Sequence, residues 1–363
     1  NNGASSLVLD ISIVLPALQR LLWTHDADVL SHTCWALSHL CDGPSIYISA
    51  VVISTHTTTT TTIPQRLVEL LLHPSWRVTK PALRTIGNIV CAECTSTMDF
   101  TEIMIQGGAV PKLKTLVTHS NREIQKEACW TLSNIAAGTI SQIQSVMDSG
   151  AIPLLIALAS DVTVDHEVRS EACWVVLNAT SCGSDAQVQK LTEDGCVQVL
   201  GLLLKEASMV MMALEGLERV LQVEEAASAS STSSSVHVGS VVNASLMESL
   251  EQHKNLAVSK RATRIWKQHF VCCALCRQYF SRHCPSEARF CNECKCHVCS
   301  SCKCEIYHLS YQEELWKTHT DVSSSNNAAS STAQGIHTNA SNNKKSKKKK
   351  QKKKEKKKQT ATK

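Results

Sequence analysis

The sequence predicts an all-α solenoid, followed by a small Cys-rich module and a basic tail. Three observations predict it: a long internal repeat, apolar residues at helical spacing inside each repeat, and a change of composition near residue 270. Four segments align without gaps of any size: TCWALSHLCDG at 33–43, PALRTIGNIVCAE at 81–93, ACWTLSNIAAG at 128–138 and ACWVVLNATSCG at 172–183, with a weaker fifth copy, MALEGLERVLQ, at 212–222. Taking Trp35, Arg84, Trp130, Trp174 and Glu215 as equivalent gives spacings of 49, 46, 44 and 41 residues.

That period belongs to armadillo and HEAT repeats, whose units bury their apolar faces only by stacking on their neighbours and so build a superhelix with a long groove. Between the markers, GGAVPKLKTLVTH at 107–119 and SGAIPLLIALAS at 149–160 combine a Gly turn, a Pro near a helix start and Leu/Ile/Val at three- and four-residue spacing. Each repeat is therefore expected to hold one short helix and two longer ones. The stretch IYISAVVISTHTTTTTTI at 46–63 is low in complexity and β-branched, which predicts a loop insertion or a frayed helix. An armadillo-repeat right-handed superhelix is thus expected over 7–270, with a Ser-rich loop at about 224–240. A Cys-rich module at 271–310, a disordered linker at 311–343 and a poly-Lys tail at 344–363 follow.

Apolar residues make up 43% of the chain and aromatics 4%, enough to bury a core and too few aromatics for a β-rich protein. No run of 18 apolar residues occurs, and the opening NNGASS has no basic segment before an apolar one, so an intracellular protein without a membrane span is expected, one that lacks its own first residues. The net charge of +5 conceals an asymmetry: residues 344–363 carry thirteen Lys and one Glu, or +12, leaving −7 on the remainder. A mildly acidic body with a basic arm suits a binder of basic ligands. No Ser/His/Asp set, carboxylate pair or phosphate loop stands out, so no catalytic residue is expected.

Trp130 and Asn134 are four residues apart, as are Trp174 and Asn178, and Arg84 and Asn88. On a helix such pairs share a face. One Trp in an apolar helical stripe is ordinarily core, but recurrence on successive helices makes a ladder that a core has no need of. Indole faces can sandwich the stem of a Lys and attract its ammonium, worth about 0.5–2 kcal/mol per contact. Asn amides can pair with both N–H and C=O of an extended peptide. Glu127 and Glu171, each three residues before its Trp, can receive the ammonium groups.

The segments CWALSHLCDGP, RLVELLLHPSWRV, PALRTIGNIV, KEACWTLSNIAAG and CWVVLNATSCGS resemble importin-α (karyopherin-α) repeats, and LMESLEQHKNLAVSKRATRIWKQHF at 246–270 resembles the last repeat of that family. The resemblance extends from the fourth or fifth repeat to the tenth. It implies a nuclear import adaptor of cytoplasm and nucleus that binds basic nuclear localisation peptides. Its minor peptide site would be formed by Arg84, Asn88, Val90, Thr97, Glu127, Trp130, Ser133, Asn134, Glu171, Trp174 and Asn178, with a further slot at Trp35. Three departures qualify it. The family's basic autoinhibitory segment and major site are absent from this sequence, so importin-β is a partner only if a preceding segment exists. His39 stands where an aromatic or Asn is expected. Glu215 and Arg219 replace Asn residues, which sets recognition by the family's recycling exportin in question.

Of eighteen Cys, eight lie scattered between Cys34 and Cys196 inside apolar patterns, where Cys acts as a small hydrophobe, and ten lie between Cys272 and Cys304. Cys273-x2-Cys276, Cys291-x2-Cys294 and Cys299-x2-Cys302 form three thiolate pairs, and two pairs suffice for a tetrahedral zinc site. The spacing is similar to a FYVE-type cross-braced finger, in which the first and third pairs share one structural zinc. The second ion would take Cys291 and Cys294 with Cys304 and His308, or with His283, Cys284 or Cys296. The basic sequence that gives such fingers lipid affinity is missing, so no membrane partner is expected. Two other functions compete with the adaptor: an armadillo scaffold acting through the zinc module, and a zinc-finger ubiquitin ligase. The Lys tail is expected either to occupy the groove in cis or to serve as a localisation or weak nucleic-acid-binding arm.

Overall fold

The computed structural model describes residues 11–54, 61–92, 98–229, 244–272, 279–281, 288–291 and 296–299. The chain divides into two units, residues 1–223 and 224–363.

The first unit is built from helix triplets. Helices α1 (Ile11–Leu21) and α2 (Ala27–Cys41) open it. Three triplets follow: α3 (Ser45–Ile53), α4 (Ile63–Leu70) and α5 (Trp76–Cys91); α6 (Phe100–Gln106), α7 (Ala109–Val117) and α8 (Arg122–Ala136); α9 (Ile140–Asp148), α10 (Ile152–Ser160) and α11 (His166–Cys182). A fourth set, α12 (Asp185–Glu193), α13 (Cys196–Leu203) and α14 (Val210–Ala229), runs across the boundary into the second unit. Each triplet thus holds two short helices and one long one, where one short and two long were expected. The middle helices stop early because their apolar runs span only two turns before a polar turn such as HPS or THSN.

Local chemistry sets the breaks. Thr62, Thr139 and Ser184 each cap a helix through a reciprocal box with Gln65, Gln142 and Gln187. The turn into the middle helix of three repeats needs positive φ, supplied by Gly108, Gly150 and Gly195. The stretch 46–53, expected to be a loop or frayed, forms α3 because Ile48, Val51 and Val52 find burial against neighbouring helices, which outweighs β-branched propensity. Residues 55–60 of the Thr run lie outside the described residues.

The long helices pack in sequence, α2 on α5, α5 on α8 and α8 on α11, around Leu37, Leu83, Ile86, Leu132 and Val175. Cys34, Cys41, Cys129 and Cys173 belong to this core, as their setting in apolar patterns predicts. Burial pushes the thiols of Cys34, Cys41 and Cys129 up to about 12 and that of Cys173 to about 11.

Polar ties join adjacent repeats. Arg66 Nε donates to Leu22 O at 3.1 Å, with its guanidinium over the Trp23 ring, and Lys112 Nζ donates to Val68 O at 3.0 Å. Gln187 Nε2 reaches Ile140 O at 2.9 Å, and Gln142 Nε2 reaches Asp99 Oδ2 at 3.0 Å. Pro81 inside α5 has no N–H to give the Arg77 carbonyl, and Ser31 of α2 donates to that carbonyl at 2.8 Å instead.

In the second unit, α15 (Ala244–Glu251) packs on α16 (Leu256–His269). Strand β1 (Phe270–Cys272) pairs antiparallel with β2 (Tyr279–Ser281), and β3 (Ala288–Cys291) with β4 (Cys296–Cys299), in the register Cys291↔Cys296 and Ala288↔Cys299. Buried His269 places Nδ1 3.8 Å from Glu225 Oε2. No single helix among the described residues is long and apolar enough to cross a membrane. The linker, the Lys tail and most of the Ser-rich loop lie outside the described residues.

Candidate peptide-binding site

The ladder residues sit on the long helices: Trp35 on α2, Arg84 and Asn88 on α5, Trp130, Ser133 and Asn134 on α8, and Glu171, Trp174 and Asn178 on α11. The three Trp are half-buried, while all three Asn are buried at 5–8% exposure. The four-residue spacing places each Asn one turn beyond its Trp or Arg on the same face.

The Asn amides are not equivalent. Asn88 Nδ2 donates to Ser38 O at 3.0 Å, and Asn178 Nδ2 donates to Ser133 O at 2.6 Å, so both tie their helix to the preceding repeat. The corresponding carbonyl for Asn134 belongs to Gly87, and that bond is not made: Asn134 Nδ2 is buried without a hydrogen-bond partner. An unmade buried donor costs about 1–3 kcal/mol.

A Cβ placed on Gly87 would stand 2.2 Å from Trp130 Cζ3, so the indole of α8 lies directly against the bare backbone of α5. Arg84 covers the same ring with its Cζ 4.8 Å from the centroid. Arg84 Nη1 also reaches both carboxylate oxygens of Glu127, at 2.9 and 3.1 Å. Glu127, expected to receive a ligand ammonium, is therefore engaged within the protein and only 7% exposed. Glu171 holds the matching position before Trp174.

Val90 and Ser133 are fully buried, and Ser133 contributes its carbonyl to Asn178 and its hydroxyl to Trp130 O. Thr97 lies outside the described residues. His39 stacks beside Trp35, ring centroids 6.3 Å apart, so the first slot is bordered by imidazole. Arg219 pairs with Asp185.

Sequence reasoning missed a belt of ion pairs at the amino ends of the long helices. Lys80 reaches Glu123 at 3.6 Å, Lys126 reaches Glu123 at 3.4 Å and Glu167 at 3.2 Å, and Arg122 reaches Asp165 at 2.9 Å. Partial burial pushes the Glu123 carboxyl up, but Arg122, Lys126 and Lys80 together hold it below the usual range. The signal was present as alternating charges one repeat apart, visible only once the repeats are stacked.

Among the proposed zinc ligands, Cys291 ends β3 and Cys299 ends β4, while Cys273, Cys276, Cys294, Cys302, Cys304 and His308 lie outside the described residues. Among the described residues no group of three metal-ligating side chains occurs.

The Armadillo/beta-catenin-like repeat family matches residues 98–137 and 139–181, the two triplets that carry Trp130 and Trp174. Importin subunit alpha-1a of Oryza sativa subsp. japonica is 38% identical over 268 residues, 71% of this chain and 48% of that protein. Importin subunit alpha-4 of Arabidopsis thaliana is 38% identical over 264 residues, 71% of this chain and 47% of that protein. The chain thus spans about half the length of the curated relatives it matches. A designed armadillo repeat protein in complex with peptide (KR)4 is 27% identical with a TM-score of 0.54, over 70% of this chain and 98% of that one. An engineered protein of known crystal structure is 26% identical with a TM-score of 0.56, over 70% and 95%. The helical part of this chain is an armadillo-repeat solenoid, similar in sequence along its repeats to plant importin α subunits.

Proposed function

We propose that the solenoid is the cargo-binding part of a nuclear import adaptor, holding extended Lys/Arg-rich localisation peptides across α5, α8 and α11 and working in cytoplasm and nucleus. The observation that carries this reading is the buried, unmade Nδ2 donor of Asn134, one turn from Trp130 on a helix packed against the one bearing Trp174. It is a backbone-carbonyl receptor beside indoles that take lysine stems. The similarity to importin α subunits and to an armadillo protein in complex with (KR)4 supports it. Arg84 already lies over Trp130 and pairs with Glu127, so a ligand cation meets a rung that is partly filled from within the protein. Titration calorimetry with a Lys-rich peptide tests this: binding that weakens with salt and is lost in Trp130→Ala and Trp174→Ala supports the adaptor. No binding by the native chain, or binding indifferent to salt, rejects it.

A second reading concerns the C-terminal unit. The Cys273/Cys276 pair falls in the connection between β1 and β2, and Cys294 in the connection between β3 and β4, so two short hairpins bracket two thiolate pairs. Such hairpins are suited to a structural zinc site, where the metal would supply cohesion that so few strand pairs lack. Atomic absorption on the purified chain should find at least one zinc; less than about half an equivalent rejects the module.

A further inference from the structure

The amino ends of α2 and α5 enclose a surface pocket of about 430 Å³, walled by Trp35 and by Trp76, which is 48% exposed. It occupies the rung of the ladder that precedes Arg84, yet its polarity is opposite to that of the later rungs. Three residues before Trp130 and Trp174 stand Glu127 and Glu171; three residues before Trp35 stands His32, and three before Arg84 stands Pro81. The position that elsewhere offers a carboxylate to an ammonium offers none here.

Cations take its place. Arg77 is exposed and, among the described residues, has no ion-pair partner. Lys80 is only 3.6 Å from Glu123, a carboxylate already shared with Lys126 and Arg122. His32 also lines the pocket, and Asp28 is the single acid among its lining residues. The site is also braced: the hydrogen bond from Ser31 to the Arg77 carbonyl, left open by Pro81, fixes the backbone that carries the guanidinium. No side chain caps the amino end of α5, which leaves the positive end of its dipole uncompensated by a capping side chain.

We propose that this pocket binds a phosphorylated serine or threonine of the peptide whose basic run lies across α8 and α11. The proposal rests on the peptide-binding reading above and adds a requirement to it. Arg77, with its guanidinium outside any ion pair among the described residues and Lys80 and His32 beside it, can take two oxygens of a phosphate where a carboxylate offers one plane, and Trp35 and Trp76 line the approach for the intervening peptide. The pocket lies two helix spacings from the α8/α11 rung, roughly 20 Å at 8–10 Å per helix pair. An extended chain covers that distance in about six residues.

Fluorescence anisotropy of the full chain with labelled peptides tests it. A Lys-rich peptide is compared with versions bearing phosphoserine, serine or glutamate about six residues before, or after, the basic run. Phosphoserine in one placement is expected to tighten binding about tenfold over serine, a gain that Arg77→Glu abolishes without changing the affinity of the serine peptide. Equal or weaker binding of both phosphopeptides overturns the proposal, as does a gain that survives Arg77→Glu or that glutamate fully reproduces. If the serine peptide itself fails to bind, the groove reading falls, and this subsite with it.

Discussion

Arg84 and Trp130 are stacked, guanidinium carbon 4.8 Å from the indole centroid, although they belong to successive repeats. A ligand lysine cannot use that face of the ring while Arg84 lies on it. Arg84→Ala should uncover both the indole and the Glu127 carboxylate. The cation–π contact and a partly exposed ion pair together suggest a stability loss of about 1–2 kcal/mol, read as a lower melting temperature. The same variant should bind a peptide with one additional lysine several-fold more tightly than the native chain does, measured by calorimetry. Unchanged or weaker binding would show that the uncovered ring is not a lysine slot.

Asn134 and Asn178 should separate stability from recognition. Asn178→Ala removes the 2.6 Å bond to the Ser133 carbonyl, which keeps its bond from Ala137 N–H, and should cost about 0.5–1.5 kcal/mol in denaturant unfolding. Asn134→Ala removes a donor that makes no bond in the protein, so stability should hold or rise slightly. Unrelated basic peptides should then weaken by similar factors, about 0.5–1.5 kcal/mol each, because the amide addresses backbone rather than side chain. A loss confined to one peptide sequence would contradict that role.

Gly87 has no room for a methyl group. Gly87→Ala places a carbon 2.2 Å from Trp130 Cζ3, and the ring must shift, as backbone on a packed helix does not. Overpacking of this kind costs about 1–3 kcal/mol. Peptide affinity should fall together with the melting temperature; a variant as stable as the native chain would mean that the indole is not seated on that glycine.

Glu224 supplies a pH signature for the second unit. Burial raises its carboxyl to about 7 in the folded chain, while an unfolded chain releases the proton at about 4.3. The folded pKa lies above the unfolded one, so the contribution is complete below about pH 4.3 and is lost as pH rises towards 7. Glu224→Gln should flatten the fall of melting temperature between about pH 5 and 7. An equally steep fall in the variant would assign the dependence to another group.

The period, the long helices and the placement of Trp35, Trp130 and Trp174 on them were readable from the sequence, because a repeated helical face leaves a repeated spacing. The burial of Cys34, Cys41, Cys129, Cys173 and Cys196 was readable too, since each sits within an apolar stripe, whereas Cys91 and Cys182 are only half-buried. The different fates of Asn88, Asn134 and Asn178 were not. Each depends on which carbonyl of the preceding helix comes within reach, and that is set by a neighbour some 45 residues away. The pairing of Glu127 with Arg84 was hidden for the same reason: both carry the right chemistry for a ligand, and only stacking shows that they satisfy each other. The middle helices were read too long because an apolar run does not reveal the turn that ends it.

The ties from Arg66 to Leu22, from Lys112 to Val68 and from Gln187 to Ile140 each span a single repeat boundary. Cohesion of this sort is a chain of nearest-neighbour couplings, so opening proceeds one boundary at a time. Amide hydrogens of α5, α8 and α11 should consequently exchange with deuterated solvent at unequal rates in the free chain. A peptide lying across α5, α8 and α11 would couple three repeats that otherwise communicate only in pairs. It would raise their protection together and convert a graded, fraying unit into one that opens in a single step.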